Sequence, residues 1–465
     1  MKLLMMLLLM TDIGPQIHTF ARKAMREIGT APGMTVVVVK DDKVIYRGDF
    51  GLRDVEKKLP VTPDTRFYIA STTKAFTAMA AAILAGEGKL DLDAPIADAW
   101  PELKLTSPVD PKKITLRDLL AMRPGFTTEG LNFRLDAGTV AGEEDLLHAL
   151  ATYTREQPRE FQYSNLNYIL AGRVMEKITG KSWKELVRQR ILLPLKMNAT
   201  TGPVTQLYRA IGPGTFVRTQ DRLDEMAGPA GGMLMTSADA AKWLIAMINE
   251  KNLPPAAVRL VQTEQTPNKT RFRYIDRFAW GLGQNLGTYE GELIVHRFGG
   301  LDGAYSHVSF MPAHRIGVAA FTNGGGAVPD AIAAYAYDLL LGKKDLDAKW
   351  SAEIAKVVAA VAQQRERREK AIAKMSEPRE TAHPLRMYAG RYHYDRLGTI
   401  DVTISGDRLF AQFGRLRAQL FPAGGDDFLV DWLDEGDPAP VKIAFDASGR
   451  AAKFDWGGRI FDRVP

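Results

Sequence analysis

The chain has no cysteine among its 465 residues. That excludes disulfides, cysteine–zinc sites, iron–sulfur clusters and a thiol nucleophile. It leaves the redox compartment open, because a cysteine-free chain survives in either setting. Histidine is scarce: the seven present are scattered, and no His-Glu-x-x-His pair occurs, so no metal site is expected. No run of about 18 apolar residues occurs, so no helix is expected to span a membrane. Positive charge is not concentrated either. The net charge is +6 and the pI about 9.2. The Arg and Lys residues of 363–374 alternate with glutamates and lack interleaved aromatics, which speaks against nucleic acid as a partner. What remains is ordinary for a globular protein, with 46% hydrophobic and 25% charged residues. The length calls for two or three domains.

Met1-Lys2 precedes an apolar octet, Leu3 to Met10. One charge and a short apolar run resemble a secretory signal. No Ala-x-Ala-like site follows, and Thr11-Asp12-Ile13-Gly14-Pro15 reads as a helix-opening turn. The expectation is a periplasmic or secreted protein if residues 1–10 act as a signal, and a cytoplasmic one otherwise.

Thr35-Val-Val-Val-Val-Lys40 is β-branched and reads as a buried strand, turned by Asp41-Asp42 into Lys43-Val-Ile-Tyr46. From about Ser71 to Gly86 the pattern becomes helical and apolar on nearly every face, so this helix should lie deep in the core. Helical runs and Pro/Gly loops alternate from about 87 to 245. Strand-like runs return at Glu292–His296, Tyr305–Phe310 and Gly317–Phe321, with a helix from about Pro329 to Leu341. Strands at both ends with helices between suggest one sheet assembled from distant segments, with an inserted helical subdomain. Residues 346–383 read as a charged helical linker, with interspersed charges of both signs. After Pro384 short alternating runs such as Thr399–Ile404 and Leu409–Phe413 predict a small barrel or sandwich.

Three segments can carry chemistry. Ser71-Thr72-Thr73-Lys74 opens the buried helix. Ser71 has the positive end of the helix dipole beside it, and Lys74 lies on the same face one turn later. A lysine drawn into an apolar interior loses some preference for charge and can accept a proton, so the pair makes an activated nucleophile. With 11 serines and 26 lysines in the chain, about 0.6 Ser-x-x-Lys matches arise by chance, and a plain N-cap serine is the alternative. Tyr163-Ser164-Asn165 is the second segment. Tyr163 can serve as acid or base if positive neighbours lower its pKa, and Asn165 can hold Lys74 or a substrate amide. A turn tyrosine with a capping Asn is the bland reading. The third is Val295-His296-Arg297-Phe298-Gly299-Gly300-Leu301-Asp302-Gly303, where a strand ending in paired glycines lets backbone N–H groups approach a ligand. One such N–H, with that of Ser71, would form an oxyanion hole; a plain turn is the alternative. Thr179-Gly180-Lys181-Ser182 lacks the first glycine of a phosphate loop, Gly281–Gly287 lacks dinucleotide spacing, and no Gly-x-Ser-x-Gly elbow occurs.

In this order the three segments resemble the serine β-lactamase and penicillin-binding-protein superfamily, above all its class C-like esterases, D-aminopeptidases and CubicO-type hydrolases. Ile114-Thr-Leu-Arg-Asp-Leu-Leu120, Pro194–Met197, Pro229-Ala-Gly-Gly-Met233 and Pro312–Asn323 are similar to the family as well, and the resemblance covers about residues 20–342. It implies an α+β fold: an antiparallel sheet flanked by helices with an inserted helical subdomain, plus a lipocalin-like C-terminal β-barrel. The implied domains are a leader or helix at 1–19, the hydrolase at 20–345, the linker at 346–383 and the barrel at 384–465. Ser71 would be acylated, Lys74 and Tyr163 would share its proton as a coupled system, Asn165 would position substrate, and the N–H groups of Ser71 and Gly300 would bind the oxyanion. No cofactor is implied. The partner would be a small ester, amide, D-peptide or β-lactam, and a homo-oligomer is compatible with the pattern.

One departure matters. The family's third motif is Lys-Thr-Gly or His-x-Gly, and Gly299-Gly300 put Arg297-Phe298-Gly299 there. Arg297 keeps a positive charge beside Tyr163, while Phe298 lacks the hydroxyl that would bind a β-lactam carboxylate. The alternative register makes His296 the functional residue, but period-2 alternation turns it to the other sheet face. A bulky ring without a hydroxyl predicts an esterase or D-amino-acid amidase or peptidase. The alternatives are a β-lactamase or penicillin-binding carboxypeptidase and, in another class, a non-catalytic ligand-binding or sensor protein whose barrel holds one small ligand.

Overall fold

The computed structural model describes residues 13–128, 130–140, 142–198, 202–219, 228–377, 379–432 and 438–465. The apolar octet at Leu3–Met10 lies outside them. The chain divides into two compact units, and the division is not a simple cut. The first takes the chain up to Leu103, then Val109–Phe126 and Glu156–Ala359; the second takes Lys104–Pro108, Thr127–Arg155 and Ala360–Pro465.

The first unit is built on a nine-stranded sheet. Its strands are β1 Gly33–Lys40, β2 Lys43–Asp54, β3 Leu59–Pro60, β4 Thr266–Phe272, β5 Ile275–Trp280, β6 Asn285–Tyr289, β7 Glu292–Leu301, β8 Ala304–Met311 and β9 Ile316–Thr322. The order is β4-β5-β6-β7-β8-β9-β1-β2-β3, all pairs antiparallel. The valine run of β1 is buried on both faces, as a strand interior to the sheet requires. The strands β4 to β6 carry no clean alternation. Register shifts between Pro267 and Thr270 and between Arg277 and Ala279 break it, and Pro267 is tolerated because β4 is an edge.

Both faces of the sheet are covered. Behind it lie α1 Ile13–Ile28, α7 Ala327–Leu340 and the start of α8 Leu346–Met375. Phe20, Tyr335, Trp350 and Ile354 pack there with Val36, Val38, Val318 and Ala320. In front, Leu244 and Ile248 of α6 Ser237–Asn249 press on Gly317, where a Cβ would come within 3.1 and 3.0 Å of them. The apolar α2 Thr73–Gly86 is buried from Thr73 to Leu84, as predicted for a helix hydrophobic on every side.

The second unit centres on a closed eight-stranded barrel running from Gly390–Tyr394 to Arg459–Val464. Side chains such as Tyr392, Ile400, Val402, Phe413, Phe454 and Phe461 fill its interior. The α+β fold with an appended barrel is therefore the one expected. The helices α3 Leu131–Ala137 and α4 Glu143–Tyr153 pack with this barrel, although by sequence they lie within the hydrolase stretch. Ala137 belongs to the barrel core, Phe133 stacks on Phe413 at 5.2 Å, and the Arg415 amide donates to the Ala137 carbonyl at 2.9 Å. Gly414 permits this approach: its φ is +56°, and a Cβ there would stand 2.2 Å from that carbonyl oxygen. A Gly414→Val change should cost about 1–3 kcal/mol by overpacking and open 131–137 to protease. Thermal melts and cleavage mapping will check it, and intact resistance of this segment would contradict the shared core.

Candidate active site

Ser71 lies in a single 3₁₀ turn, Ala70–Thr72, between the short strand Phe67–Tyr68 and α2. Ala70 takes a left-handed φ of 43°, which costs a residue bearing a Cβ roughly 1–2 kcal/mol. Neighbours fasten the turn. The Ile69 amide donates to the Met233 carbonyl at 3.1 Å. Ser306 Oγ donates to the Ile69 carbonyl at 2.7 Å and lies 2.8 Å from Thr72 Oγ1. Arg297 Nε donates to the Ser71 carbonyl at 2.9 Å.

Lys74 is 0% exposed. Its Nζ donates to Ser71 Oγ at 3.0 Å, Asn165 Oδ1 at 2.7 Å and the Ala230 carbonyl at 2.8 Å. A buried ammonium persists only when hydrogen-bonded in this way. The Gly283 turn abuts the helix here, with φ +81° and room for no Cβ: one would sit 2.5 Å from the Lys74 carbonyl oxygen.

Tyr163 arrives from a distant segment, just before α5 Asn165–Thr179. The Gln162 amide donates to the Met122 carbonyl at 2.8 Å and the Ser164 amide to Met122 Sδ at 3.4 Å, which sets the approach. The phenol donates to Ser71 Oγ at 2.7 Å and accepts from Arg297 Nη2 at 2.5 Å. Tyr163 is 43% exposed, so it is open to solvent along its ring while its oxygen is crowded by cations. Burial of that oxygen alone would raise the pKa. The charges of Arg297 and then Lys74 outweigh it and bring the phenol down to about 7.

Arg297 is 3% exposed and lies 5.1 Å from the Trp280 ring. Trp280 and Tyr168 both donate to the Leu120 carbonyl, at 2.9 and 2.7 Å, and they wall the cluster. Gly299 is required by contact: a Cβ would fall 2.0 Å from the Ile69 oxygen and 2.7 Å from the Ser71 nitrogen. The next residue, Gly300, is exposed.

Ser71, Lys74, Tyr163, Asn165 and Arg297 thus meet, with Gly299 against them. His296 does not join. It is 1% exposed on the back of the sheet, accepts from Arg277 Nε at 3.2 Å, and is held well below its ordinary pKa by burial and then by the Arg277 charge. Phe298 turns the same way and stacks on Phe272 at 4.1 Å. The expectation that its bulky ring weakens carboxylate recognition is therefore corrected: the side chain at 298 faces away from Ser71 and meets Phe272 instead. Trp280, Tyr168, Gly283 and the Ala230 carbonyl were not anticipated. The one sequence signal for Ala230 was Pro229-Ala-Gly-Gly-Met233. Among the described residues no group of three or more His, Asp or Glu side chains could hold a metal ion.

A hydroxyl held between an amine and an acidified phenol has the parts of an activated nucleophile. The chain as a whole is similar to known proteins. A family model described as Beta-lactamase matches residues 21–343, and one described as a domain of unknown function, DUF3471, matches 374–462. Protein flp of Staphylococcus aureus strain MW2 is 28% identical over 335 residues, 68% of this chain and 64% of that protein. Unguisins hydrolase ungD' of Aspergillus campestris is 29% identical over 346 residues, 68% of this chain and 62% of that one. The chain spans just under two thirds of these relatives' length. A penicillin-binding protein homologue from Pyrococcus abyssi, described as octameric, superposes with a TM-score of 0.63 at 26% identity, covering 97% of this chain and 98% of the other. SurE shares the fold with a TM-score of 0.57 at 20% identity, over 98% and 100% of the two chains. The match over residues 21–343, with the sheet, the helices and the appended barrel in place, shows that the chain belongs to the beta-lactamase family, within the serine β-lactamase and penicillin-binding-protein superfamily.

Proposed function

We propose that the chain is a serine hydrolase that works through an acyl-enzyme on Ser71, preferring esters or D-amino-acid amides and peptides to β-lactams. The observation that carries this reading is the double contact on Ser71 Oγ, from Tyr163 at 2.7 Å and Lys74 at 3.0 Å. As Oγ attacks the carbonyl carbon, its proton passes to the phenolate or the amine, which titrate together. The carbonyl oxygen becomes anionic against the N–H groups of Ser71 and Gly300. Collapse expels the alcohol or amine, which takes the proton, and leaves an ester on Ser71. Water then repeats the sequence and releases the acid. Asn165 orients Lys74 and the substrate.

The substrate ranking rests on the departure of Arg297-Phe298-Gly299 from the Lys-Thr-Gly of β-lactamases. A relative named for hydrolysing unguisins agrees with a hydrolytic role, and the octameric Pyrococcus homologue makes a homo-oligomer part of the proposal. A fluorophosphonate should label the wild type on Ser71 and leave Ser71→Ala unlabelled. p-Nitrophenyl esters and D-alanyl anilides should be turned over faster than nitrocefin. Nitrocefin turnover above the others overturns the ranking, and the absence of any Ser71 adduct favours a ligand-binding or sensor protein.

A further inference from the structure

The back of β7 carries a second polar cluster that the chemistry above does not use. In register with His296, Phe298 and Gly300 of β7 stand Ser309, His307 and Tyr305 of β8. Each of these three reaches α7. Ser309 Oγ lies 2.7 Å from the Tyr337 hydroxyl. His307 Nδ1 lies 2.7 Å from Asp330 Oδ1, and its Nε2 lies 2.7 Å from Ser309 Oγ. Tyr305 donates to Asp330 Oδ2 at 3.0 Å, and Arg273 Nε lies 3.4 Å from the same oxygen. The order Ser309–His307–Asp330 is that of a serine-protease triad, yet Ser309 is 0% exposed. No substrate reaches it, so the cluster is not a second nucleophile.

Its place in the fold suggests another role. The Tyr305 ring is pinned between glycines: a Cβ on Gly326 would stand 2.4 Å from it, and one on Gly300 3.5 Å. Phe298 stacks on it from the neighbouring strand, at 6.1 Å. The strand residue paired with Gly300 is thus anchored by one carboxylate, that of Asp330. We propose that Asp330 is a positioning residue for the acyl-accepting turn: through Tyr305 and His307 it fixes β8, and with it the Gly299–Gly300 backbone that faces Ser71. This rests on the reading of Ser71 as nucleophile and of Gly300 as an oxyanion donor.

Oxyanion donors act in the transition state, so their displacement lowers kcat more than it raises KM. With a p-nitrophenyl ester, Asp330→Asn should lower kcat about 10- to 100-fold, the scale of a displacement near 1 Å, and leave KM within about two-fold. The pH midpoint of the profile should stay in place, because Tyr163 and Arg297 are untouched. Tyr305→Phe keeps the ring and removes only its hydroxyl, so it should fold and lower kcat about 3- to 10-fold; it decides the matter if Asp330→Asn does not fold. Unchanged kcat in Tyr305→Phe overturns the proposal, as does a fall in kcat accompanied by a displaced pH midpoint, which would locate the effect at Tyr163. A wild type with no turnover and no Ser71 label overturns instead the hydrolase reading beneath it.

Discussion

Replacing Lys74 by methionine will lower kcat/KM by about 10³-fold or more and shift the melting temperature by only a few degrees. The first half follows from proton transfer, where a positioned acid or base is worth roughly 10²–10⁴. Lys74 also supplies one of the two charges that acidify Tyr163, so both candidate bases are weakened together. The second half is a contest. The variant leaves Asn165 Oδ1 and the Ala230 carbonyl without this donor, at about 1–3 kcal/mol for each buried acceptor. It also removes an ammonium that had to be stripped of water, and apolar replacement of buried charge is often neutral or stabilising. Methionine fills nearly the same volume, so no large cavity opens. The two effects are similar in size, and the net change in stability is therefore small beside the loss of rate. Melting curves and ester hydrolysis on one preparation will check both. A variant that unfolds would mean that the lysine is mainly structural, and one that keeps its rate would remove it from the chemistry.

How much of this was legible beforehand depended on distance along the chain. Ser71 and Lys74 are three residues apart at the head of an apolar helix, so their pairing is local and readable. Tyr163 and Arg297 lie 92 and 226 residues from Ser71. Only motif resemblance, and the glycines that fix the β7 register, pointed to them. Period-2 alternation assigned His296 to the back of the sheet, and the same alternation takes Phe298 there, which is why its ring cannot crowd the substrate. The Ala230 carbonyl was invisible because any residue supplies a carbonyl. The strands β4 to β6 were missed because two bulges and Pro267 interrupt them, whereas parts of β7 to β9 read as unbroken strand-like runs. Residues 127–155 gave no sign of their partner: α3 is amphipathic toward whatever apolar surface meets it, and the choice of the barrel is made by Gly414 and Phe413, nearly 300 residues later.

Arg297→Gln will move the pH–rate profile. In the wild type the phenol of Tyr163 has a pKa of about 7, far below the usual value near 10. The phenolate fraction rises with pH, so kcat/KM should climb through neutrality and level off above it. Removing the Arg297 charge deletes the larger of the two charges that lower this pKa. Burial, which raises it, is then opposed by Lys74 alone, so the limb moves to alkaline pH. A displacement of two to three pH units would reduce the rate at pH 7 by about 10²–10³-fold, with recovery near pH 10. The guanidinium also holds the Ser71 carbonyl at 2.9 Å, and losing that bond could lower the rate at every pH. Arg297→Lys separates the two effects: it keeps the charge and gives up the fork geometry, so its limb should stay close to neutrality while its plateau falls. Titration of tyrosinate absorbance gives a second reading of the same group, independent of turnover. If the limb stays near pH 7 in Arg297→Gln while that absorbance shifts, the group titrating in the rate is not Tyr163, and the phenol is not the base that takes the Ser71 proton.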